Sequence, residues 1–226
     1  QSAMTIMTHE GGAAWAAFSA DGRRIVSYGR GRTKVWDTER GAEIEAARPE
    51  GFLGAIPTLS ADGKWMILVN RDGDMHVCDV ITGKERTVLH GHGNPSQTQR
   101  AVFSPDGKWI VSFVARGDTV TVWDADSGAE LRKLNGPRYT LSIAVNSAGD
   151  RIAAGGHRVL PSGHEEGIIK VWNSVNGAEL ITFPMGLDVW ARHVVFSPDG
   201  KRIASCGGNR AVIQIWDALS GAEVLT

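Results

Sequence analysis

The chain has only two cysteines, Cys78 and Cys206, among its 226 residues. They sit in different repeats and fit no metal-binding spacing, so the sequence gives no sign of a cysteine metal site. We expect both side chains to be small buried hydrophobic groups in a reducing compartment. The expected location is therefore the cytoplasm.

An excess of either charge is also lacking, because 24 lysines and arginines balance 25 aspartates and glutamates. With so little net charge, we expect neither nucleic acid nor a membrane surface as a partner. No apolar run approaches the roughly 18 residues that a membrane-spanning helix needs, and no signal-peptide pattern opens the chain. Hydrophobic residues still make up 42%, which predicts a soluble globular protein with a packed core.

The sequence does contain a repeated unit, which occurs in five copies. Its first half reads FSADGRRI from Phe18, LSADGKWM from Leu59, FSPDGKWI from Phe103, VNSAGDRI from Val145 and FSPDGKRI from Phe196. Its second half reads TKVWDTERGAEI from Thr33, MHVCDVITGKER from Met75, VTVWDADSGAEL from Val120, IKVWNSVNGAEL from Ile169 and IQIWDALSGAEV from Ile213. Four intervals separate Trp36 from Trp216, so the mean period is 45 residues.

Each unit predicts four short strands, as its third copy illustrates. Residues 101–103 are apolar, and Ser-Pro-Asp-Gly at 104–107 favours a tight turn, because proline fixes φ and glycine accepts positive φ. Residues 109–112 and 119–123 are rich in β-branched and aromatic side chains, and 131–134 predicts an outer strand. A sheet this small cannot cover both of its faces, so each unit must pack on its neighbours.

These Ser-Pro-Asp-Gly turns, and the Trp-Asp pairs at 36–37, 123–124 and 216–217, resemble those of the WD-repeat β-propeller family. A repeat of about 40 to 45 residues with strand signals alone is typical of a propeller blade. The resemblance implies an all-β propeller of four-stranded antiparallel blades, forming a single domain over residues 1–226. The five repeats are assigned approximately to residues 4–46, 47–89, 90–134, 135–183 and 184–226.

The chain departs from the family in two respects. The Gly-His mark of the family stands ahead of an inner strand only once, at Gly91-His92. Its aspartate before the tryptophan position survives only as Asp72, in the repeat where Cys78 replaces tryptophan. The family's His–Asp–Ser–Trp hydrogen-bond network is therefore incomplete in every repeat, and we expect apolar stacking of blades to stabilise the fold. Family members typically have seven blades, so three arrangements stay open: a fragment of a larger propeller, a closed five-blade ring, or an open arc. An open arc would expose two blade faces and favour self-association.

Residues that recur at the same position in several copies of the repeat are expected to be structural. They are Trp36, Trp123, Trp172, Trp216, Phe18, Phe103, Phe196, Asp106, Gly107, Asp199 and Gly200.

Partner contact is expected from loops at one mouth of the propeller, where the family binds peptides and proteins. Phe52, Tyr139 and Trp190 stand in corresponding connections, although local packing explains each equally well. Arg30 and Arg32 lie in a Gly-flanked loop that suits an acidic or phosphorylated peptide, the alternative being a solvated edge.

The fourth repeat carries about seven additional residues within the segment HRVLPSGHEEG, residues 157–167. Its histidines and glutamates are of metal-ligating types, but no second ligand pair stands at a recognised spacing. We expect a solvated loop that contacts a partner, with His164 as the candidate residue, and no metal.

Enzyme motifs are lacking as well. The sequence has no Gly-x-Ser-x-Gly, His-Glu-x-x-His or Cys-x-x-Cys. Propellers that hydrolyse sugars place carboxylates on their inner strands, and these strands are apolar here. The sequence therefore predicts a non-enzymatic scaffold for a protein or peptide, without a cofactor. The alternatives are a self-assembling partial propeller and a propeller that handles a glycan or small molecule.

Overall fold

The computed structural model describes residues 15–19, 22–29, 32–44, 58–70, 72–90, 99–114, 117–187, 189–207 and 212–225. Every regular element within these ranges is a β-strand. The described ranges accordingly hold no helix with the length and apolar character of a membrane span. The strands form five sheets of four, and neighbours in each sheet are consecutive in the chain.

Each sheet takes its four strands from one stretch of the chain. The first sheet consists of β1 (Trp15–Phe18), β2 (Arg24–Gly29), β3 (Arg32–Asp37) and β4 (Glu43–Ile44). The second consists of β5 (Thr58–Leu59), β6 (Trp65–Val69), β7 (Met75–Asp79) and β8 (Glu85–Leu89). The third consists of β9 (Gln99–Phe103), β10 (Trp109–Val114), β11 (Thr119–Asp124) and β12 (Glu130–Asn135).

The fourth sheet consists of β13 (Tyr139–Val145), β14 (Arg151–Val159), β15 (Glu165–Asn173) and β16 (Glu179–Leu187). The fifth consists of β17 (His193–Phe196), β18 (Arg202–Gly207), β19 (Val212–Asp217) and β20 (Glu223–Leu225). The strand pairs with a described register run antiparallel, as β10 and β9 do. The prediction of five four-stranded antiparallel units is confirmed. The limits of a single domain stay a prediction.

The turn between the first two strands of a sheet is held by its own side chains. Ser104 Oγ donates to Asp106 Oδ1 at 2.7 Å, and the backbone N–H of Trp109 donates to Ser104 Oγ at 3.1 Å. Gly107 closes the turn with φ 69°, which favours glycine. The hydrogen bond from Ser104 is the main cause that lowers the pKa of Asp106.

The fifth sheet repeats this turn. Ser197 Oγ donates to Asp199 Oδ1 at 2.5 Å, which lowers the pKa of Asp199, and Gly200 has φ 68°. The turn chemistry read from the sequence therefore matches the structure at both positions.

Three of the repeated tryptophans are fixed inside their sheets by a serine on the neighbouring strand. Trp123 Nε1 donates to Ser112 Oγ at 2.7 Å. The equivalent bonds are Trp36 to Ser27 and Trp216 to Ser205, both at 2.8 Å. In the fourth sheet the serine position is held by Ala154, which packs in the same core as Trp172. The Ser–Trp step of the family network is thus retained in three repeats.

The chain divides into two compact units, of which the first comprises Gln1–Ser96 and Asp124–Ala129. Within it, the first and second sheets share one core. Its buried members are Val26, Val35, Met66, Leu68, Cys78 and Val80. Burial raises the pKa of the Cys78 thiol to about 11, so the thiol stays neutral and packs as a small apolar group.

The second unit comprises Gln97–Trp123 and Glu130–Thr226. Its described residues form one core between the third and fourth sheets and another between the fourth and fifth. The first core includes Val111, Phe113, Val120, Val122, Leu134, Ile143, Ile152, Ala154 and Trp172. The second includes Ala153, Ile169, Val171, Phe183, Met185, Ala191, Val194, Ile203, Trp216 and Ala218. Apolar stacking of successive sheets is what the incomplete polar network led us to expect.

Three apolar side chains of the fifth sheet are largely exposed. Ile213 holds the repeat position of the fully buried Ile169, yet it is 64% exposed. Val195 and Leu225 lie on strands of the same sheet and are 58% and 61% exposed. This apolar surface is the feature that favours the self-association alternative, which stays a prediction.

The repeated phenylalanines differ in their surroundings. Phe103 is buried, and Phe196 is half-buried against the core between the fourth and fifth sheets. Phe18 is 66% exposed. A shared repeat position therefore does not give the three rings the same environment.

Candidate functional site

The fourth repeat differs from the others through longer strands. Its additional residues extend β14 and β15, which pair from Arg151 with Asn173 as far as Val159 with Glu165. Only residues 160–164 form the connecting turn. Most of the segment predicted as a solvated loop is thus part of the sheet, because its residues form cross-strand pairs such as Arg158 with Glu166. These two side chains also form an ion pair at 2.6 Å.

The extension carries a stack of three rings. His157 on β14 lies parallel to Tyr139 on β13, with ring centroids 4.4 Å apart and an interplanar angle of 8°. Trp190, which precedes β17, lies 4.9 Å from His157 at 17°. Two arginines continue the stack, since the Arg192 guanidinium is 5.1 Å from the Trp190 ring and that of Arg138 is 5.7 Å from the Tyr139 ring. We call these five side chains the aromatic ladder.

Glycines allow the backbone to approach closely enough for this stacking. A Cβ at Gly156 would overlap the carbonyl oxygen of Tyr139, and one at Gly207 would overlap that of Trp190. The backbone N–H of Ala191 also donates to the Gly156 carbonyl at 3.2 Å. The backbone of Tyr139 therefore packs directly against Gly156, and the backbone of Trp190 packs directly against Gly207.

Glu165 connects the ladder to β15. Its Oε2 accepts a hydrogen bond from Trp190 Nε1 at 2.8 Å, and its Oε1 lies 3.6 Å from His157 Nε2. The side chain of Glu165 is 38% exposed, whereas that of His157 is 8% exposed. Both carboxylate oxygens are thus directed to ladder residues, which fixes the indole in place.

His157 is buried with an unsatisfied ring nitrogen. Among the described residues, Nδ1 has no hydrogen-bond partner. Desolvation by burial lowers the pKa of His157, and the nearby Glu165 carboxylate opposes that shift. The imidazole is therefore neutral near pH 7 and stacks as an aromatic ring.

This protonation state predicts a pH dependence of stability. The unfolded chain binds a proton at His157 near pH 6.5, whereas the folded chain binds it only at lower pH. The free energy of unfolding is therefore expected to fall as the pH drops below about 6.5, until the folded state also takes up the proton. Urea unfolding between pH 7.5 and 5.5 measures this, and His157→Gln should flatten the dependence. His164→Gln, which changes an exposed side chain, is the control and should keep the wild-type slope; an unchanged slope in His157→Gln would refute the assignment.

A cavity of about 550 Å³ opens beside the ladder, within the second unit. It is lined by Arg100, Tyr139, Leu141, His157, Glu165, Trp190, Arg192 and His193. These residues come from β9, β13, β14, β15, the start of β17 and the segment before it. The site is therefore assembled from three successive sheets.

The predicted partner-binding residues divide into three groups. Tyr139 and Trp190, which are distant in sequence, line the same cavity. His164 lies in the exposed turn between β14 and β15 and is not among the lining residues. Arg30 and Phe52 lie outside the described residues, and Arg32 begins β3 with its side chain also outside them.

The sequence interpretation missed His157, Glu165 and the cavity arginines as parts of one site. Their roles depend on pairing between strands, which the repeat alignment leaves undetermined. The pair Gly155-Gly156 and the later Gly167, all at strand positions, were the available signal, because glycine inside a strand often marks close backbone approach. As for metals, no group of three histidine, cysteine, aspartate or glutamate side chains suited to hold an ion occurs in the described ranges.

Comparison with known proteins supports the repeat assignment. The family model described as "WD domain, G-beta repeat" matches residues 83–124 and 186–217. Nuclear distribution protein nudF of Aspergillus niger is 26% identical over 184 residues, which cover 74% of this chain and 40% of the relative. Meiotic recombination protein rec14 of Schizosaccharomyces pombe is 27% identical over 119 residues, or 52% of this chain and 38% of the relative. The chain thus spans less than half the length of these two relatives.

A solved structure shares the fold. A chain in the crystal structure of a mitotic checkpoint complex superposes with a TM-score of 0.75, covering 97% of this chain and 65% of that chain. The sequence identity is 22%, so the likeness concerns the fold alone.

Proposed function

We propose that this chain, which belongs to the WD-repeat β-propeller family, is a non-enzymatic scaffold that binds a protein or peptide at the cavity beside the aromatic ladder. WD-repeat proteins generally act as protein-interaction scaffolds. The observation that carries the proposal is the aromatic ladder itself, which lines the cavity with Tyr139 and Trp190. Tryptophan, tyrosine and arginine are the residues on which protein interfaces most often depend.

The cavity suits a side chain or short segment better than a flat protein surface. Its volume of about 550 Å³ lies within the range of small-ligand pockets. Other contacts fix the rings that line the cavity. Trp190 donates a hydrogen bond to Glu165, and His157 stacks with both Tyr139 and Trp190. Such preorganised rings lose little conformational entropy when a ligand binds.

The chemistry at the cavity favours binding over catalysis. Among the described residues that line the cavity, Glu165 is the only carboxylate, and both of its oxygens are directed to the ladder. A mechanism with two carboxylates, as sugar hydrolysis requires, finds no second acid among these described residues. The glycan-hydrolysing alternative therefore finds less support at this site than peptide binding does.

Selection from a displayed peptide library tests the proposal. The wild-type chain should retain peptides that Trp190→Ala loses by at least tenfold, because the substitution removes the ring that lines the cavity. Trp65→Ala is the matched control, since Trp65 is also half-buried and lies under an arginine, Arg86, at 4.6 Å. Equal retention by wild type and Trp190→Ala, or equal losses in both variants, would contradict binding at the ladder.

A further inference from the structure

We propose that the cavity selects peptides carrying an anionic side chain, a carboxylate or a phosphate, which its arginines bind. This inference rests on the proposed function, because it names the ligand chemistry of the same cavity. It goes beyond the sequence, which suggested an acidic partner only for Arg30 and Arg32.

The charges at the cavity are unevenly paired. Arg100 and Arg192 line it and are exposed, and neither forms a salt bridge with a carboxylate of the described residues. Arg138, at the other end of the ladder, is likewise outside the ion pairs found in this part of the chain. Within the described residues, the two lining arginines and Arg138 at the end of the ladder therefore form no ion pair with a carboxylate.

Among the described lining residues, one carboxylate, that of Glu165, offsets part of this positive charge. Glu165 accepts a hydrogen bond from the Trp190 indole, and its second oxygen lies beside His157. Since His157 is neutral near pH 7, it adds no positive charge of its own. Arg100 and Arg192 together with Glu165 therefore leave a net positive charge at the cavity.

Stacking on Trp190 also orients the Arg192 guanidinium so that it can bind an anion. Its guanidinium lies over the Trp190 ring, with which it makes a cation–π contact at 5.1 Å. A guanidinium that stacks through its face keeps its N–H groups at the edge, where they match a carboxylate or phosphate with two parallel hydrogen bonds. An apolar residue next to the anion would then contact Leu141 and the aromatic rings.

Four degenerate nine-residue peptide pools, with Glu, phosphoserine, Gln or Lys fixed at the centre, test the inference on the intact chain. Retention by the wild type should favour Glu or phosphoserine over Gln by about fivefold, as expected for partly exposed charge pairs. The Lys pool should be retained least. The stronger of the two anionic pools identifies whether carboxylate or phosphate is the preferred source. Added salt should weaken both preferences, because it screens exposed charges.

Charge reversal provides the decisive variant. Arg192→Glu should lose the preference for anionic pools and retain the Lys pool best. Arg158→Glu, which also reverses an exposed arginine of the second unit but one that does not line the cavity, should behave as the wild type does. Far-ultraviolet circular dichroism checks that both variants keep their strands.

The outcomes separate the two proposals. Retention that depends on Trp190 but is equal for Glu, phosphoserine and Gln overturns the anionic preference and leaves peptide binding intact. Preference for the Lys pool in the wild type overturns it as well. Absence of Trp190-dependent retention from all four pools overturns the proposed function itself.

Discussion

Replacing Gly156 with alanine should destabilise the chain by about 3 kcal/mol, the upper end of the usual cost of overpacking. The new methyl group would overlap the Tyr139 carbonyl oxygen and also press against Pro137. A backbone carbonyl cannot relieve this overlap by changing rotamer, as a flexible side chain can. The start of β13 therefore has to move. Because Thr140 pairs with Gly156 and Tyr139 with His157, this shift separates the first two rings of the ladder. Peptide retention should therefore fall together with stability.

Gly107→Ala is the control for this prediction. Gly107 has φ 69°, but a Cβ there would meet no atom within 4 Å. Alanine should cost only the strain of its left-handed backbone, about 1–2 kcal/mol, and leave peptide retention unchanged. Urea unfolding and retention of the selected peptides measure the two effects. A Gly156→Ala chain that keeps wild-type stability and binding would show that the glycine does not position the ladder.

Trp216→Ala is expected to cost about 3–5 kcal/mol, the range for removing a large aromatic side chain from a core. Trp216 is 5% exposed and packs against Phe183, with ring centroids 5.0 Å apart. It belongs to the core between the fourth and fifth sheets. The substitution also leaves the hydroxyl of Ser205 without its indole donor. The fifth sheet should consequently detach at lower urea concentration than the rest of the second unit.

Leu219→Ala gives the comparison for Trp216→Ala. Leu219 lies in the turn before β20 and is 69% exposed, so its removal should change the free energy of unfolding by less than about 0.5 kcal/mol. Hydrogen exchange of β17 to β20 reports the stability of the fifth sheet directly. A cost below about 1.5 kcal/mol for Trp216→Ala would contradict the view that stacked sheets stabilise this fold.

The repeat made the fold predictable, because each strand and turn is specified locally. The Ser-Pro-Asp-Gly turn contains its own hydrogen bonds, as Ser104 and Asp106 show. The tryptophan positions also identified buried residues correctly, since Trp36 and Trp172 are 3% and 2% exposed. Exposure of Phe18 was not predictable in this way, because burial at that position depends on what packs against the sheet, and repeat identity does not encode it.

The site was predictable only in part. Tyr139 and Trp190 were predicted as partner contacts because both are aromatic residues in equivalent connections. The structure places both at one cavity, and their contact with a partner stays a prediction. His157 and Glu165 were assigned to a loop, because seven additional residues at a strand–strand connection normally lengthen the loop. Here they lengthen the strands instead, which places His157 opposite Tyr139. That register depends on glycine packing in three dimensions, and a single sequence does not reveal it.

Hydrogen–deuterium exchange with a selected peptide determines whether the aromatic ladder forms the binding site. We expect slower exchange at residues 137–141, 155–159 and 189–193 when the peptide is bound. We expect no change on the outer strands β12 and β20. Protection confined to those outer strands, or to the first unit, with residues 137–141 and 189–193 unaffected, would contradict binding at the ladder.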